Sequence, residues 1–251
     1  MKLLLTVLLT GAALLAQTPA PSKTGATTKT GTAATKTGAA PRPNSLLNPA
    51  SLKAVAPPTY KVKFTTTSGD IVVEVHKDWA PLGADRFYNL VRNRFFNGAT
   101  FFRVVPNFIV QFGLTGDPAV NHAWEKANIK DDPVKQHNTR GTLVFATAGP
   151  NTRTTQLFIN LRDNTQSLDP QGFAPFGTVT EGMDVVDKIF PGYGERPDQG
   201  AITDQGKGYY DAKFPRLSKI TSATIVFPEP AAPAAKKAAP AATPAPATKK
   251  Q

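Results

Sequence analysis

Residues 101–113, FFRVVPNFIVQFG, constrain the fold more than any other stretch of the chain. A run this apolar and aromatic has to be buried, yet it carries Arg103 and Gln111 where a plain core strand carries neither. Arginine is almost never fully buried unless it is paired. Arg103 therefore either reaches solvent along its own methylenes or lines a cavity. Residues 141–160, GTLVFATAGPNTRTTQLFIN, repeat the arrangement, with the amide Gln156 two positions before Phe158. Two aromatic β-type runs that each offer a polar donor point to one apolar pocket with a few fixed polar groups.

Composition divides the rest of the chain. Residues 1–20 have a short basic start, an apolar run over 3–16 and small residues after it, which is the pattern of a secretory signal peptide. Cleavage is expected after Ala16 or Ala20, and the apolar run is shorter than the roughly 20 residues of a membrane span. An N-terminal anchor that stays uncleaved is the competing reading. Residues 21–57 form a Thr/Ala/Pro/Lys-rich stretch, and residues 229–251 a Pro/Ala/Lys-rich one. Such sequence cannot bury enough apolar area to offset its ordering entropy, so both are expected to be disordered, the first as a linker. Residues 58–228 remain as one domain of ordinary size. The chain has no cysteine, hence no disulfide framework and no zinc–thiolate site. The expected location is exported, periplasmic or secreted.

The net charge of +11 suggests nucleic acid until it is divided. Lys2, Lys23, Lys29, Lys36, Arg42 and Lys53 stand in the first 59 residues without one acid, and four lysines against Glu229 stand in 228–251. The residues between are nearly neutral, with 19 basic and 17 acidic side chains. Basicity confined to the ends keeps a chain soluble or brushes an anionic surface; no specific nucleic-acid partner is expected.

Within the domain, residues 60–66 and 71–75 read as a hairpin across Ser68-Gly69-Asp70. Residues 81–93 read as a helix with Pro81 in its first turn. Pro106-Asn107 interrupts the central strand pair. Residues 114–138 read as a polar loop anchored by Trp124. Strands follow at 142–148, 156–161 and 173–179, a helix at 181–190 with Thr180 as its cap, a loop over 192–214 and a closing strand over 217–227. Many short strands and two helices predict a closed barrel or a sandwich.

Standard catalytic signatures are missing: there is no G-x-S-x-G elbow, no Walker loop and no H-E-x-x-H. His76, His122 and His137 lie far apart, and no metal or cofactor is expected. Gly149-Pro150-Asn151 lacks the lysine and following helix of a phosphate cradle. An apolar pocket bearing an arginine, two glutamines and aromatics suits a reaction that needs no nucleophile and no proton transfer.

Residues 102–111, FRVVPNFIVQ, resemble the F-x-R-hydrophobic-hydrophobic-P-x-F-hydrophobic-hydrophobic-Q signature of the cyclophilin peptidyl-prolyl isomerases. Gly141-Thr142-Leu143, Ala146, residues 148–152 and residues 156–160 resemble their second signature, and Phe173-Ala174-Pro175-Phe176-Gly177 fits the stretch that follows. The likeness covers residues 60–227. It implies an all-β fold, a closed eight-stranded antiparallel β-barrel capped by two α-helices, with the site on its outer face. It also implies Arg103 as the catalytic arginine and Phe108, Ile109, Phe158 and Leu168 as the proline pocket. Gln111, Ala146, Thr147 and Gln156 would form the peptide shelf, with Phe173 packing on the proline ring. Three positions depart from many eukaryotic members: Ser167 stands for a tryptophan, Phe173 for a histidine and Thr147 for an asparagine. Weak binding of cyclosporin-type macrocycles is the consequence expected.

The resemblance implies a cofactor-free enzyme that turns over X–Pro bonds of peptides or unfolded proteins; with the signal-like start these are expected to be exported ones, and a monomer is the default expectation. A binding module or holdase that grips proline segments without isomerising them is the alternative from another class. A protein held at an anionic surface by its basic ends is a third.

Overall fold

The computed structural model of the chain describes residues 44–227. The expected signal peptide, the first part of the linker and the C-terminal tail lie outside the described residues.

Strand β1 (Thr59–Thr66) and strand β2 (Gly69–His76) pair antiparallel from Thr59↔His76 to Thr66↔Gly69. Their residues alternate in burial, the mark of a sheet with one face on the core. Tyr60, Val62 and Phe64 face inward with Ile71, Val73 and Val75. Helix α1 (Pro81–Arg92) opens on its proline and turns Ala84, Phe87, Leu90 and Val91 into the core. Proline suits that first position because the N–H it lacks has no partner within a helix. Strands β3 (Arg103–Val105) and β4 (Ile109–Phe112) follow, then helix α2 (Pro118–Trp124), β5 (Thr142–Phe145) and β6 (Leu157–Asn160). Helix α3 (Thr165–Leu168), β7 (Pro175–Glu181), α4 (Met183–Asp187), α5 (Gln199–Gln205), α6 (Lys207–Lys213) and β8 (Ile220–Phe227) complete the order.

All eight strands join one antiparallel sheet in the order β3-β4-β6-β5-β7-β2-β1-β8. The sheet curls into a half-barrel around an aromatic core in which Phe64, Phe96 and Phe112 pack edge to face. The expected closure is not reached, because β3 and β8 are the two sheet edges and form no ladder with each other. Three backbone hydrogen bonds stitch the gap beside them, from Gly98 to Ile220 (2.7 Å), Ile220 to Ala99 (2.8 Å) and Phe101 to Ser218 (3.0 Å). Strand β3 is only three residues long, because Pro106 has no N–H to extend it.

The helices correct further expectations. More than two helices surround the sheet. The stretch 114–138 contains α2, started by Pro118 and capped by Asp117, whose carboxylate accepts from the Ala119 N–H at 3.0 Å. The stretch 192–214 contains α5 and α6, with Asp198 capping α5 through the Ala201 N–H at 2.7 Å. These helices are short, so their overall composition stays polar: α2 sends Val120 and Trp124 into the main core, while α5 and α6 bury Ile202, Tyr209 and Tyr210 in a second, smaller core with Phe102, Leu114 and Leu217. Residues before 58 also pack on the core. Asn44–Leu47 and Pro49–Ser51 form 3-10 turns, Leu46 is 1 % exposed, and its carbonyl accepts from Trp124 Nε1 at 2.9 Å. Two apolar residues, Leu46 and Ala56, enter the core, enough to order a segment whose composition reads as linker. Trp124 is an anchor as expected, on a helix rather than a loop.

Candidate active site

The register of four short strands builds the site. Arg103 stands opposite Gln111, Gln111 opposite Phe158 and Phe158 opposite Val144. Cross-strand partners share a face, so these residues form one row across β3, β4, β6 and β5. Their strand neighbours Val104, Val110, Leu143 and Ile159 point the other way, into the barrel core. Both faces of β4, β5 and β6 are buried, because residues 161–174 fold back over the outer one. Gly113 marks how closely this layer is packed: its φ is +113°, and a Cβ there would lie 2.4 Å from the Thr155 carbonyl oxygen.

The result is a small cluster of Ile109, Val144, Phe158 and Leu168, with Phe108, Ala146 and Phe173 against it, separate from the barrel core. Phe173 meets Phe158 edge to face at 5.6 Å. An open pocket of about 260 Å³ lies here, lined by Arg103, Phe108, Ile109, Gln111, Ala146, Thr147, Phe158, Leu168 and Phe173. Nine of the ten residues expected from the sequence thus come together, and Gln171, which sequence reasoning missed, joins them. Gln156 does not line this pocket. It lines an adjoining groove of about 660 Å³ that shares Gln111, Ala146 and Thr147 with it. Ser167 is exposed and outside the lining. Among the described residues no three His, Asp or Glu side chains gather as a metal site.

A polar chain runs along the rim. Arg103 Nη1 donates to Gln111 Oε1 at 3.1 Å, and Gln111 Nε2 donates to Gln156 Oε1 at 2.8 Å. Arg103 Nε donates to Glu195 Oε1 at 2.6 Å. The Thr147 hydroxyl is held by its own turn, donating to the Gly149 carbonyl and lying 2.8 Å from Thr152 Oγ1, so only its backbone is left for a ligand.

Behind the pocket sits a ladder of buried amides that the sequence did not mark. Asn164 Nδ2 donates to the Phe108 carbonyl (3.0 Å) and to Asn160 Oδ1 (2.7 Å). Asn160 Nδ2 donates to Asn138 Oδ1 (3.1 Å), and Asn138 Nδ2 to Asp169 Oδ1 (2.7 Å) and the Phe173 carbonyl (2.8 Å). The ladder ties Phe108 on one wall to Phe173 on the other. Burial pushes the Asp169 carboxyl up, but hydrogen bonds from Asn138 and His137 outweigh it and hold the group below the usual carboxylate range. Asparagines are common turn residues, and nothing local distinguishes these three.

Chemically, the site offers an apolar slot for a ring and a guanidinium beside it, with two amides and strand backbone leading away.

The family model described as "Cyclophilin type peptidyl-prolyl cis-trans isomerase/CLD" matches residues 61–204. A peptidyl-prolyl cis-trans isomerase of Acinetobacter baylyi is 41% identical over 138 residues, covering 51% of this chain and 70% of that protein. Peptidyl-prolyl cis-trans isomerase B of Escherichia coli is 39% identical over 136 residues, covering 51% of this chain and 82% of that protein. A solved cyclophilin-type isomerase of Cryptosporidium parvum is 21% identical, with a TM-score of 0.49, over 66% of this chain and 97% of that one.

Proposed function

Because the chain belongs to the cyclophilin-type peptidyl-prolyl cis-trans isomerase family, we propose that its pocket seats the proline ring of an X–Pro peptide and that Arg103 acts on the twisting bond. Rotation about that bond has a barrier near 20 kcal/mol because amide resonance is lost on the way. At the twisted transition state the proline nitrogen becomes pyramidal and gains a lone pair. A guanidinium N–H at that nitrogen binds the transition state better than the planar ground state, which is the condition for catalysis. Phe108, Ile109, Phe158, Leu168 and Phe173 hold the ring in an apolar setting and remove water that would stabilise the planar amide. Gln111, Gln156 and the backbone of Ala146 and Thr147 hold the flanking peptide. Shortening tens of seconds to milliseconds is about four decades, roughly 5–6 kcal/mol. Positioning and one charge-assisted hydrogen bond are a sufficient source for it.

The observation that carries this reading is the row Arg103–Gln111–Phe158, which sets a guanidinium on the lip of an aromatic pocket. The test is cis-to-trans isomerisation of a short X–Pro peptide by the full chain beside Arg103→Ala. The variant is expected to lose about 100- to 1,000-fold in kcat/KM while its Tm stays unchanged. A folded wild type without activity would leave a proline-binding module instead.

The proposed setting is the folding of exported, proline-containing proteins in the periplasm or outside the cell. It is supported by the basic and apolar start of the chain; among the described residues no helix is long and apolar enough to cross a membrane. N-terminal sequencing of the protein recovered from outside the cytoplasm is expected to begin at Gln17 or Pro21. An intact, cytoplasmic chain contradicts export.

A further inference from the structure

The guanidinium of Arg103 does not stand alone at the pocket. Its Nε and Nη2 both reach one carboxylate oxygen, Glu195 Oε1, at 2.6 and 2.5 Å, and its Nη1 reaches Gln111 Oε1 at 3.1 Å. Arginine has five N–H donors in one plane, so three are engaged and two, one on each terminal nitrogen, remain.

The segment that brings Glu195 to this point is built to do so. Strand β3 is a sheet edge, and the N–H of its central residue Val104 donates to the Gly194 carbonyl at 3.1 Å. The turn at residues 191–194 is closed by Gly194 N–H on the Pro191 carbonyl at 2.9 Å, with Gly194 in the left-handed region at φ +57°. Tyr193 pins the turn by packing edge to face on Phe190 at 5.1 Å and on Phe214 at 5.0 Å. Arg196 donates to the carbonyls of Gly192 (3.0 Å) and Tyr193 (3.3 Å). The turn therefore covers the open edge of β3, and the residue after its glycine falls beside the residue before Val104. Glu195 meets Arg103 through a backbone register, not through a chance encounter of two long side chains.

We infer that Glu195 is a positioning residue for the isomerisation, fixing the plane of the Arg103 guanidinium so that its two unused donors face the pocket. The inference rests on the isomerase reading above. An unrestrained arginine of this exposure loses rotamer entropy on meeting the transition state; a guanidinium already clamped at Nε and Nη2 has lost it beforehand. The Glu195 side chain is 61 % exposed, and ion pairs that exposed contribute little to fold stability. The consequence of losing it falls on catalysis.

The test compares Glu195→Ala and Glu195→Gln with wild type and Arg103→Ala, using the full chain and a short X–Pro peptide. Glu195→Ala is expected to lower kcat about three- to tenfold with KM within about twofold, at unchanged Tm. Glu195→Gln keeps an oxygen that accepts from Nε and Nη2, and is expected to retain more than half of kcat. The Arg103 Nε–H resonance, assigned by its loss in Arg103→Lys, is expected to be sharp in wild type and broadened in Glu195→Ala. A Glu195→Ala enzyme as fast as wild type, beside an inactive Arg103→Ala, overturns the inference and leaves the isomerase reading standing. A Glu195→Ala enzyme faster than wild type also overturns it, since the carboxylate would then be restraining Arg103. A wild type without isomerase activity overturns both readings together.

Discussion

Arg103 and Arg153 each face two acceptor side chains, yet their surroundings differ. Arg103 keeps its side chain 26 % exposed and turns toward an open pocket. Arg153 is 5 % exposed, with Nη1 3.1 Å from Asp132 Oδ2, Nε 3.3 Å from Asp131 Oδ1 and Nη2 on the Lys130 carbonyl. Asp132 in turn accepts from the N–H groups of Leu82 (3.1 Å) and Gly83 (2.9 Å), at the start of α1. Arg153 holds that loop against the helix through Asp132 and the Lys130 carbonyl, while its Nε, though 3.3 Å from Asp131, makes no hydrogen bond. Nearby, burial and then the charge of Arg153 pull the Arg86 guanidinium down to about 10; it remains a cation at neutral pH and donates to the carbonyls of Ala127 and Thr154. The difference is one of setting: Arg153 is locked in a buried contact between a loop and α1, whereas Arg103 is held partly exposed on the open lip of an apolar pocket.

Crossing the two substitutions is the strongest way to break this contrast. Arg153→Ala leaves Asp132 buried without its cation and is expected to cost about 3–5 kcal/mol of stability in urea unfolding. The kcat of the remaining folded protein should match wild type. Arg103→Ala should do the reverse. Loss of kcat in folded Arg153→Ala, or a lowered Tm in Arg103→Ala, would erase the distinction.

A smaller effect sharpens it from the pocket side. Asp169→Asn removes the charge that holds Asn138 and, through it, Phe173. It is expected to lower stability by about 1 kcal/mol and to raise KM more than it lowers kcat. Because the folded carboxyl lies below its ordinary value, its contribution is present above the unfolded value of about 3.9 and is lost as pH falls through the lower folded one. The stability difference between wild type and Asp169→Asn should therefore hold from neutral pH to about pH 4 and close below it. A difference independent of pH would show that the carboxylate acts only by shape.

Alternation made part of the site legible in the sequence. Residues 109 and 111 had to share a face, as did 156 and 158, and Pro106-Asn107 marked the break between two strands; the register that sets Arg103 against Gln111 came from the fold. Leu168 and Phe173 were legible only through the family resemblance, since they arrive on a fold-back with no periodicity. Nothing local in the sequence marks the burial of Arg153. It stands in the polar run Asn151-Thr152-Arg153-Thr154-Thr155, which looks like surface, and is among the most buried charges among the described residues. Arg103, set among aromatics, is the more open of the two.

By itself the sequence determined the strands, their inward and outward residues, and the signatures that identify the family. These depend on interactions between near neighbours, where the period of two in a strand writes burial directly into residue order. Only the tertiary structure decided what Arg103 is paired with, what holds the pocket walls together and which residues before 58 pack on the core. Glu195 is 92 residues from Arg103, Asn164 is 56 from Phe108, and Leu46 is 78 from Trp124. Each of these contacts is a single side chain meeting a distant partner after the chain has folded back. Such a contact leaves no period in the sequence, because the free energy that forms it comes from the packing of the elements on either side.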